Sequence, residues 1–240
     1  EIMPSLVGSE MCIRDSVYMQ KDFILSHVDH TMLKQGATWA DIQRICDEGL
    51  SHKTASVCIP PSYVADAAAY LKGQLAVCTV IGFPNGYQTT AVKVAETKDA
   101  IAHGADEIDM VINIGALKDH NYALVEEDIR SVVAAADHHC VKVILETCLL
   151  SKEEIVKACE CCVNAKAAFV KTSTGFSTAG ATVENVKLMK ESVHGACKVK
   201  AAGGVRCYED LQAMVEAGAD RIGTSAGVKL LQKENVNSSY

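Results

Sequence analysis

Short β-prone runs alternate with amphipathic helical runs along this chain from about residue 23 onward, and that alternation limits the fold more than any other feature. Eight such pairs fit into the 240 residues, which gives a period of about 30 residues, as in a barrel of repeated strand–helix units. No G-x-G-x-x-G follows the first strand, which argues against an open, doubly wound sheet that binds a dinucleotide. The sequence therefore predicts a single α/β domain with the (β/α)8 TIM-barrel fold. The predicted strands are His27–His30, Ala55–Ile59, Leu75–Ile81, Glu107–Asn113, Val141–Thr147, Phe169–Ser173, Val199–Ala202 and Arg221–Thr224.

Helical runs lie between these strands, and glycine is expected to end several of them because helix ends favour it. The glycines in question are Gly49, Gly104 and Gly218. The predicted helices are Trp39–Gly49, Ala91–Gly104, Leu124–Asp137, Lys152–Ala165, Val183–Ser192 and Tyr208–Gly218. The first twenty residues show no clear periodicity, so we interpret residues 1–20 as a leader or gene-model segment without function and residues 21–240 as the barrel domain.

Charge and composition argue against several classes of function. The net charge of −7, with no long basic run, argues against a nucleic-acid partner. No apolar run reaches the roughly 18–20 residues of a membrane-spanning helix, and the N-terminus does not resemble a signal peptide. Eleven scattered cysteines, an odd number, are typical of reduced thiols in the cytoplasm. We expect no metal site, because the C-x-x-C at Cys159–Cys162 has no second pair and His27 and His30 lack the partners of one.

Two lysines occupy apolar strand patterns. Lys171 lies on the predicted sixth strand and Lys200 on the seventh, about one strand–helix unit apart, so they should lie at similar heights on adjacent strands. A buried ammonium is costly unless it is paired or used, although a single lysine could extend its amine to a strand end. An amine in a dry site beside a second cation loses its proton more readily and becomes a nucleophile for carbonyl carbons. The pair therefore predicts Schiff-base chemistry.

Asp109, on the predicted fourth strand, precedes Lys171 by about two units and should lie across the same cavity. A carboxylate there is either a structural partner for a lysine or a proton-transfer group, and the two lysines favour proton transfer. Glu107, at the start of the strand, is expected to be solvated. Asp29, at the end of the first strand, is expected to pair with a barrel lysine, with a helix-cap or turn role as the alternative.

Four other charged residues have less specific surroundings. Lys142 and Glu146, on the predicted fifth strand, are expected to join ion pairs around the barrel. Lys93 and Lys98, on the helix Ala91–Gly104, are expected to lie on a solvated face.

Glycine-rich segments end the last three strands, at Thr174–Phe176, Ala202–Val205 and Gly223–Gly227. Glycine lets backbone N–H groups approach an anion closely, and loops after strands seven and eight are the usual phosphate site of this architecture. Tight turns also need glycine, so each segment alone is weak evidence. Together they predict a phosphorylated substrate. The candidate binding residues are Asp29, Thr172, Gly175, Gly203, Gly204, Gly223 and Ser225.

From about Phe23 to Leu231 the chain resembles the deoxyribose-phosphate aldolase family of class I aldolases. The stretches that carry the resemblance are Asp29–Thr31, Ala55–Cys58, Val77–Pro84, Gly104–Leu117, Val143–Thr147, Phe169–Gly175, Lys200–Arg206 and Arg221–Ser225. The resemblance implies a cofactor-independent enzyme that reversibly cleaves 2-deoxy-D-ribose 5-phosphate into D-glyceraldehyde 3-phosphate and acetaldehyde. It also implies that Lys171 forms the Schiff base, that Lys200 assists it and that Asp109 relays protons.

Four positions depart from the family pattern, and two of them, Gln35 and Pro60, replace a common proline and a common asparagine near the barrel rim. Ala226 stands where a second serine usually helps to hold phosphate, which predicts a reduced phosphate affinity. Phe176 stands where some members carry lysine and others phenylalanine. Small phosphorylated sugars and aldehydes are the expected partners, without nucleic acid or membrane, and a homodimer is one candidate assembly.

Two other functions use the same features. A phosphosugar isomerase or epimerase would share the barrel and the phosphate loops, but it would need a general-base carboxylate or a metal instead of an iminium. A catalytically silent barrel that acts as a binding protein would gain nothing from charged residues in its interior. Trapping with borohydride and an aldehyde-release assay separate these functions from an aldolase.

Overall fold

Eight parallel strands close on themselves in chain order. A computed structural model describes residues 24–225, and the structural statements below concern this range. Each strand pairs in parallel with its neighbours in sequence, and the eighth pairs with the first. The predicted (β/α)8 barrel is thereby confirmed. The strands are β1 Val28–Thr31, β2 Ser56–Ile59, β3 Ala76–Ile81, β4 Glu107–Val111, β5 Cys140–Ile144, β6 Phe169–Lys171, β7 Lys198–Ala202 and β8 Arg221–Thr224.

Helices connect the strands on the outside of the barrel. Side chains cap several of them. The side chains of Thr38 and Ser151 each accept a hydrogen bond from the backbone N–H of an acidic residue three positions later, and the side chain of that acidic residue accepts one from the backbone N–H of Thr38 or Ser151. The Ala-rich second helix and the short fourth helix were not predicted from sequence. The helices are α1 Trp39–His52, α2 Val64–Leu71, α3 Thr90–Ala102, α4 Ile114–Lys118, α5 Tyr122–Ala135, α6 Lys152–Asn164, α7 Val183–Ser192 and α8 Tyr208–Glu216.

One predicted helix end is wrong. Helix α1 continues to His52, and Lys53, the residue that caps its C-terminus, has the left-handed conformation. Gly49 therefore lies inside the helix. Glycine is needed at this position for packing, because a Cβ there would lie 2.6 Å from the Leu75 side chain. The ends at Gly104 and Gly218 are confirmed, since both follow their helices with positive φ.

Three predicted strands run past their observed ends. Strands β4, β5 and β6 end at Val111, Ile144 and Lys171, so the residues that follow belong to loops at the carboxyl ends of the strands. Glu146, for example, has φ of 58° and cannot continue a strand. These loops form the rim at which barrel sites are built.

Apolar side chains fill the layer between strands and helices, whereas charged side chains occupy the barrel interior. Lys142 and Lys200 are fully buried there, beside the buried carboxylates of Asp29 and Asp109. Buried charges are tolerated when they are paired, so the interior must be an ion-pair network.

Within residues 24–225, no helix combines the length and the apolar character needed to cross a membrane. Residues 1–20, which we interpret as a leader or gene-model segment, lie outside the described residues, and so does Ala226.

Candidate active site

Strand register places the two predicted lysines side by side. Lys171 on β6 and Lys200 on β7 are direct partners across the parallel pair. Asp109 on β4 is the register partner of Lys142 on β5. Strand β6, which carries Lys171, pairs with the other edge of β5. The interior faces of β4 to β7 therefore bring three amines and one carboxylate to one level of the barrel.

Asp109 accepts hydrogen bonds from three lysines. Its Oδ2 lies 2.7 Å from Lys171 Nζ and 2.7 Å from Lys200 Nζ, so these two amines are near neighbours. Its Oδ1 lies 3.0 Å from Lys142 Nζ and 3.2 Å from the Cys78 Sγ, which donates to it. Asp109 is the centre of the network.

Asp29 forms a second carboxylate site beside the first. Its Oδ2 lies 2.5 Å from Lys200 Nζ, and its Oδ1 accepts from Arg221 at 2.5 Å and from the Ser56 hydroxyl at 2.8 Å. Lys200 therefore lies between two carboxylates and is held from both sides. Asp29 is fully buried in this role and does not cap a helix.

Glu107 was expected to be solvated, and this expectation is wrong. Its side chain is only 12% exposed, and its Oε2 lies 2.5 Å from Lys142 Nζ and 3.3 Å from Arg221. Arg221, which sequence reasoning did not single out, closes the network from the first position of β8. The only sequence signal for Arg221 was a cation at the start of a strand, at a position that alternation directs into the barrel.

The four cations of this network have different numbers of carboxylate partners. Lys142 pairs with three carboxylates, namely Asp29, Glu107 and Asp109. Lys200 and Arg221 pair with two each. Within residues 24–225, Lys171 pairs with one, the shared Asp109. Lys171 is therefore the cation of this network with the fewest ion-pair partners in the described range.

Electrostatics fix the charge of the other members. Burial opposes charge on Lys200, but Asp109 and Asp29 outweigh it and raise the pKa of Lys200 above its ordinary value. The same balance, with Asp109 as the largest favourable partner, raises the pKa of Lys142. Burial works against ionised Asp109, yet Lys142, Lys171 and Lys200 hold its pKa well below the usual range. Lys142 and Lys200 are therefore stable cations and Asp109 is a stable anion.

A cavity of about 330 Å³ opens at the carboxyl ends of β6, β7 and β8. Gly175, Gly203 and Gly204 line it with positive φ, and their amides donate to no group in residues 24–225. Free backbone N–H groups around a polar cavity suit an anion. Arg206, which was not predicted, lines the same cavity and could add a cation.

The structure brings most, but not all, of the predicted binding residues to this cavity. Gly223 and Ser225 line it together with the three glycines. Thr172 does not, because its hydroxyl donates to the Ala202 carbonyl and accepts from the Ala202 amide, both at 3.0 Å. Asp29 lies in the ion-pair network instead.

One group of potential metal ligands lies beside the network. Cys58, Cys78 and Asp109 place their ligand atoms within 4.8 Å of one another. Lys142 Nζ is 3.3 Å from the Cys78 sulfur, and three lysines already neutralise Asp109, so a metal cation would meet strong repulsion there. That no metal takes part stays a prediction.

Comparisons with known proteins agree with this geometry. A family model described as DeoC/LacD family aldolase matches residues 23–233. The deoxyribose-phosphate aldolase of Streptococcus pyogenes serotype M4 is 52% identical over 216 residues, which cover 90% of this chain and 97% of that protein.

Solved structures give the same result. The crystal structure of a putative deoxyribose-phosphate aldolase from Coccidioides immitis superposes with a TM-score of 0.86 at 44% identity, over 88% of this chain and 85% of that one. The tetrameric deoxyribose phosphate aldolase from Aeropyrum pernix has a TM-score of 0.83 at 29% identity, over 95% and 97% of the two chains. The chain with this lysine-rich barrel is a member of the DeoC/LacD family of aldolases.

Proposed function

We propose that this protein is a class I aldolase that reversibly cleaves 2-deoxy-D-ribose 5-phosphate into D-glyceraldehyde 3-phosphate and acetaldehyde, in deoxyribonucleotide catabolism. The observation that carries the proposal is Lys171, a buried amine that in residues 24–225 forms an ion pair with one carboxylate, which it shares with two stable cations. Support also comes from the relatives, which carry the same activity in their names.

The proposed reaction begins with neutral Lys171. Its Nζ adds to the aldehyde carbon of the open-chain sugar, and the carbinolamine loses water to form an iminium. The C2–C3 bond then breaks, its electron pair moves into the iminium to give an enamine, and the C3 hydroxyl loses its proton as glyceraldehyde 3-phosphate leaves. Protonation of the enamine carbon gives a two-carbon iminium, which water hydrolyses to acetaldehyde and free Lys171.

The network supports this sequence through charge. The iminium restores the positive charge beside Asp109 that the Lys171 ammonium carried, so Asp109 stabilises it without rearrangement. Lys200 and Lys142 keep Asp109 ionised between proton transfers. Asp109, with water, is the proposed proton relay to the enamine.

The cavity at β6 to β8 is the proposed phosphate site. The amides of Gly175, Gly203 and Gly204 would donate to phosphate oxygens, and Arg206 would supply charge at the rim. Gly203 packs closely against Gly180, since a Cβ on Gly180 would lie 2.3 Å from the Gly203 carbonyl. Larger residues at these positions would displace the amides.

Reductive trapping tests the proposal. Borohydride with acetaldehyde should add one ethyl group to the intact protein, and peptide mapping should place it on Lys171. Lys171→Met should abolish the adduct and the release of acetaldehyde, whereas Lys98→Met, a matched change at an exposed lysine on α3, should preserve both. An adduct on Lys200 alone would reverse the proposed roles of the two lysines. Turnover of the phosphorylated sugar without any adduct would favour an isomerase or epimerase.

Location and assembly are further parts of the proposal. We place the enzyme in the cytoplasm, which the ten free cysteines of residues 24–225 support. The Aeropyrum pernix relative is described as a tetramer. For this chain a homodimer stays a prediction, which light scattering on the purified protein would test.

A further inference from the structure

Glu146 is a buried carboxylate that the proposed reaction does not use. It follows β5 and is 2% exposed, with φ of 58° and ψ of 59°. Residues with a Cβ rarely adopt this left-handed conformation, and they keep it only where the surroundings enforce it. Within residues 24–225 it pairs with no lysine or arginine, which corrects the expectation that it joins the ion pairs around the barrel.

Most contacts of Glu146 are with the loop that follows β6, and the Cys148 thiol also donates to its Oε1 at 3.9 Å. The Thr174 amide donates to its two carboxylate oxygens at 3.3 and 3.4 Å, and the Thr174 hydroxyl donates to Oε2. Burial raises the pKa of Glu146, and the bonds from Thr174 and, more weakly, the charge of Lys171 counteract this. The Thr174 hydroxyl oxygen then accepts from the Phe176 amide at 3.0 Å.

This chain of hydrogen bonds surrounds Gly175. The amides before and after Gly175 are tied to Glu146 and to the Thr174 hydroxyl, whereas the Gly175 amide donates to no group in residues 24–225. Gly175 has φ of 87° and lines the cavity at the ends of β6 to β8, as does Phe176. The direction of the free Gly175 amide therefore depends on the two bonds beside it.

Neighbouring backbone bonds make Glu146 a rigid anchor. The amides of Leu145 and Thr147 donate to the carbonyls of Lys171 and Thr172, each at 2.9 Å. The residues on both sides of Glu146 are thus fixed to the end of β6. Its carboxylate can hold the loop in place because its own backbone cannot move freely.

We propose that Glu146 is a positioning residue which, through Thr174, fixes the Gly175 amide for an anion and so sets the preference for phosphorylated over unphosphorylated sugars. The inference rests on the proposed function, because the substrate class is taken from it. Glu146 itself is not proposed to touch the substrate.

Substitutions separate this role from a general effect on folding. Glu146→Gly removes the carboxylate and also relieves the positive φ, so a loss of phosphate binding cannot arise from backbone strain. Thr174→Val removes the hydroxyl at constant shape, and Thr174→Ser restores it. Thr97→Val is the matched control, because its buried hydroxyl donates only to the Lys93 carbonyl within α3.

The expected result is a change confined to the phosphorylated substrate. Glu146→Gly and Thr174→Val should raise KM for 2-deoxyribose 5-phosphate about tenfold, the size of one lost charge-assisted hydrogen bond, and kcat/KM for 2-deoxyribose should change less than about twofold. Thr174→Ser and Thr97→Val should stay within about twofold of wild type on both substrates. Equal losses on both substrates, or no loss on either, would overturn the inference.

Titration calorimetry with inorganic phosphate measures phosphate binding directly, without any turnover of substrate. The dissociation constant should rise about tenfold in Glu146→Gly and in Thr174→Val and stay unchanged in Thr97→Val. If the wild type forms no adduct with acetaldehyde, the proposed function fails while phosphate binding still tests the role of Glu146. An unchanged dissociation constant in both variants of an active enzyme overturns the role of Glu146 alone.

Discussion

At the scale of single residues, the number of carboxylate partners distinguishes Lys171, the proposed nucleophile, from Lys200. Lys200→Met would remove the cation that shares Asp109 Oδ2 with Lys171, so the ammonium form of Lys171 would meet less repulsion. We expect a lower rate at neutral pH and an alkaline rise of the pH–rate profile that moves to higher pH. Lys98→Met, an exposed lysine, should leave the profile in place. A profile that keeps its position while the rate falls would assign Lys200 to orienting Asp109 instead.

Sequence reasoning selected Lys171, Lys200 and Asp109 because strand alternation and the repeat length place them on one interior level. It did not foresee the partners of Glu107 or the anchor formed by Glu146. Both depend on which side chains meet across the barrel, and local pattern carries no such information. Thr172 was a candidate binding residue, but it directly follows the inward-facing Lys171, and adjacent residues of an extended chain point to opposite faces.

At the scale of elements, a buried ion pair joins α3 to α5 and to the end of β4. Lys93 Nζ lies 2.5 Å from the Asp128 carboxylate and 2.9 Å from the Val111 carbonyl. Lys93→Met leaves Asp128 buried without its partner, which should lower the free energy of unfolding by about 3–5 kcal/mol. The double variant Lys93→Met, Asp128→Leu should recover much of that loss. Urea denaturation measures both, and additive losses in the double variant would contradict the pairing.

The same pair shows a limit of sequence reasoning about elements. The strand–helix repeat, six of the helices and all eight strands were predicted, because their periodicity is local. Lys93 was predicted to be solvated, yet it is fully buried, whereas Lys98 is exposed as expected. A lysine on a helix pattern looks the same whether water or a neighbouring helix faces it. The helix α2 was missed because it is only eight residues long, about two turns, which is too short for a clear helical period.

At the scale of the whole molecule, the barrel interior makes stability depend on pH. Burial works against ionised Asp29, but Lys200, Lys142 and Arg221 outweigh it and lower its pKa below the ordinary value, as three lysines do for Asp109. The folded-state pKa values lie below those of the unfolded chain, so the unfolded state binds more protons in acid. The stabilisation is complete above the unfolded-state value of about 3.9 and is lost as the pH falls through the folded-state values.

Asp29→Asn tests this linkage. At about pH 6 the variant should be less stable than wild type by about 3–5 kcal/mol, because Lys200 and Arg221 lose a buried counterion. As the pH falls from about 4 toward about 3 the wild type begins to lose the contribution of Asp29 and the variant has none to lose, so the gap between the two unfolding free energies should narrow by about 1 kcal/mol. Asp66→Asn, the same change at an exposed position of α2, should stay close to wild type throughout. A constant gap between wild type and Asp29→Asn from about pH 6 to about pH 3 would mean that Asp29 stabilises the barrel by packing and not by its charge.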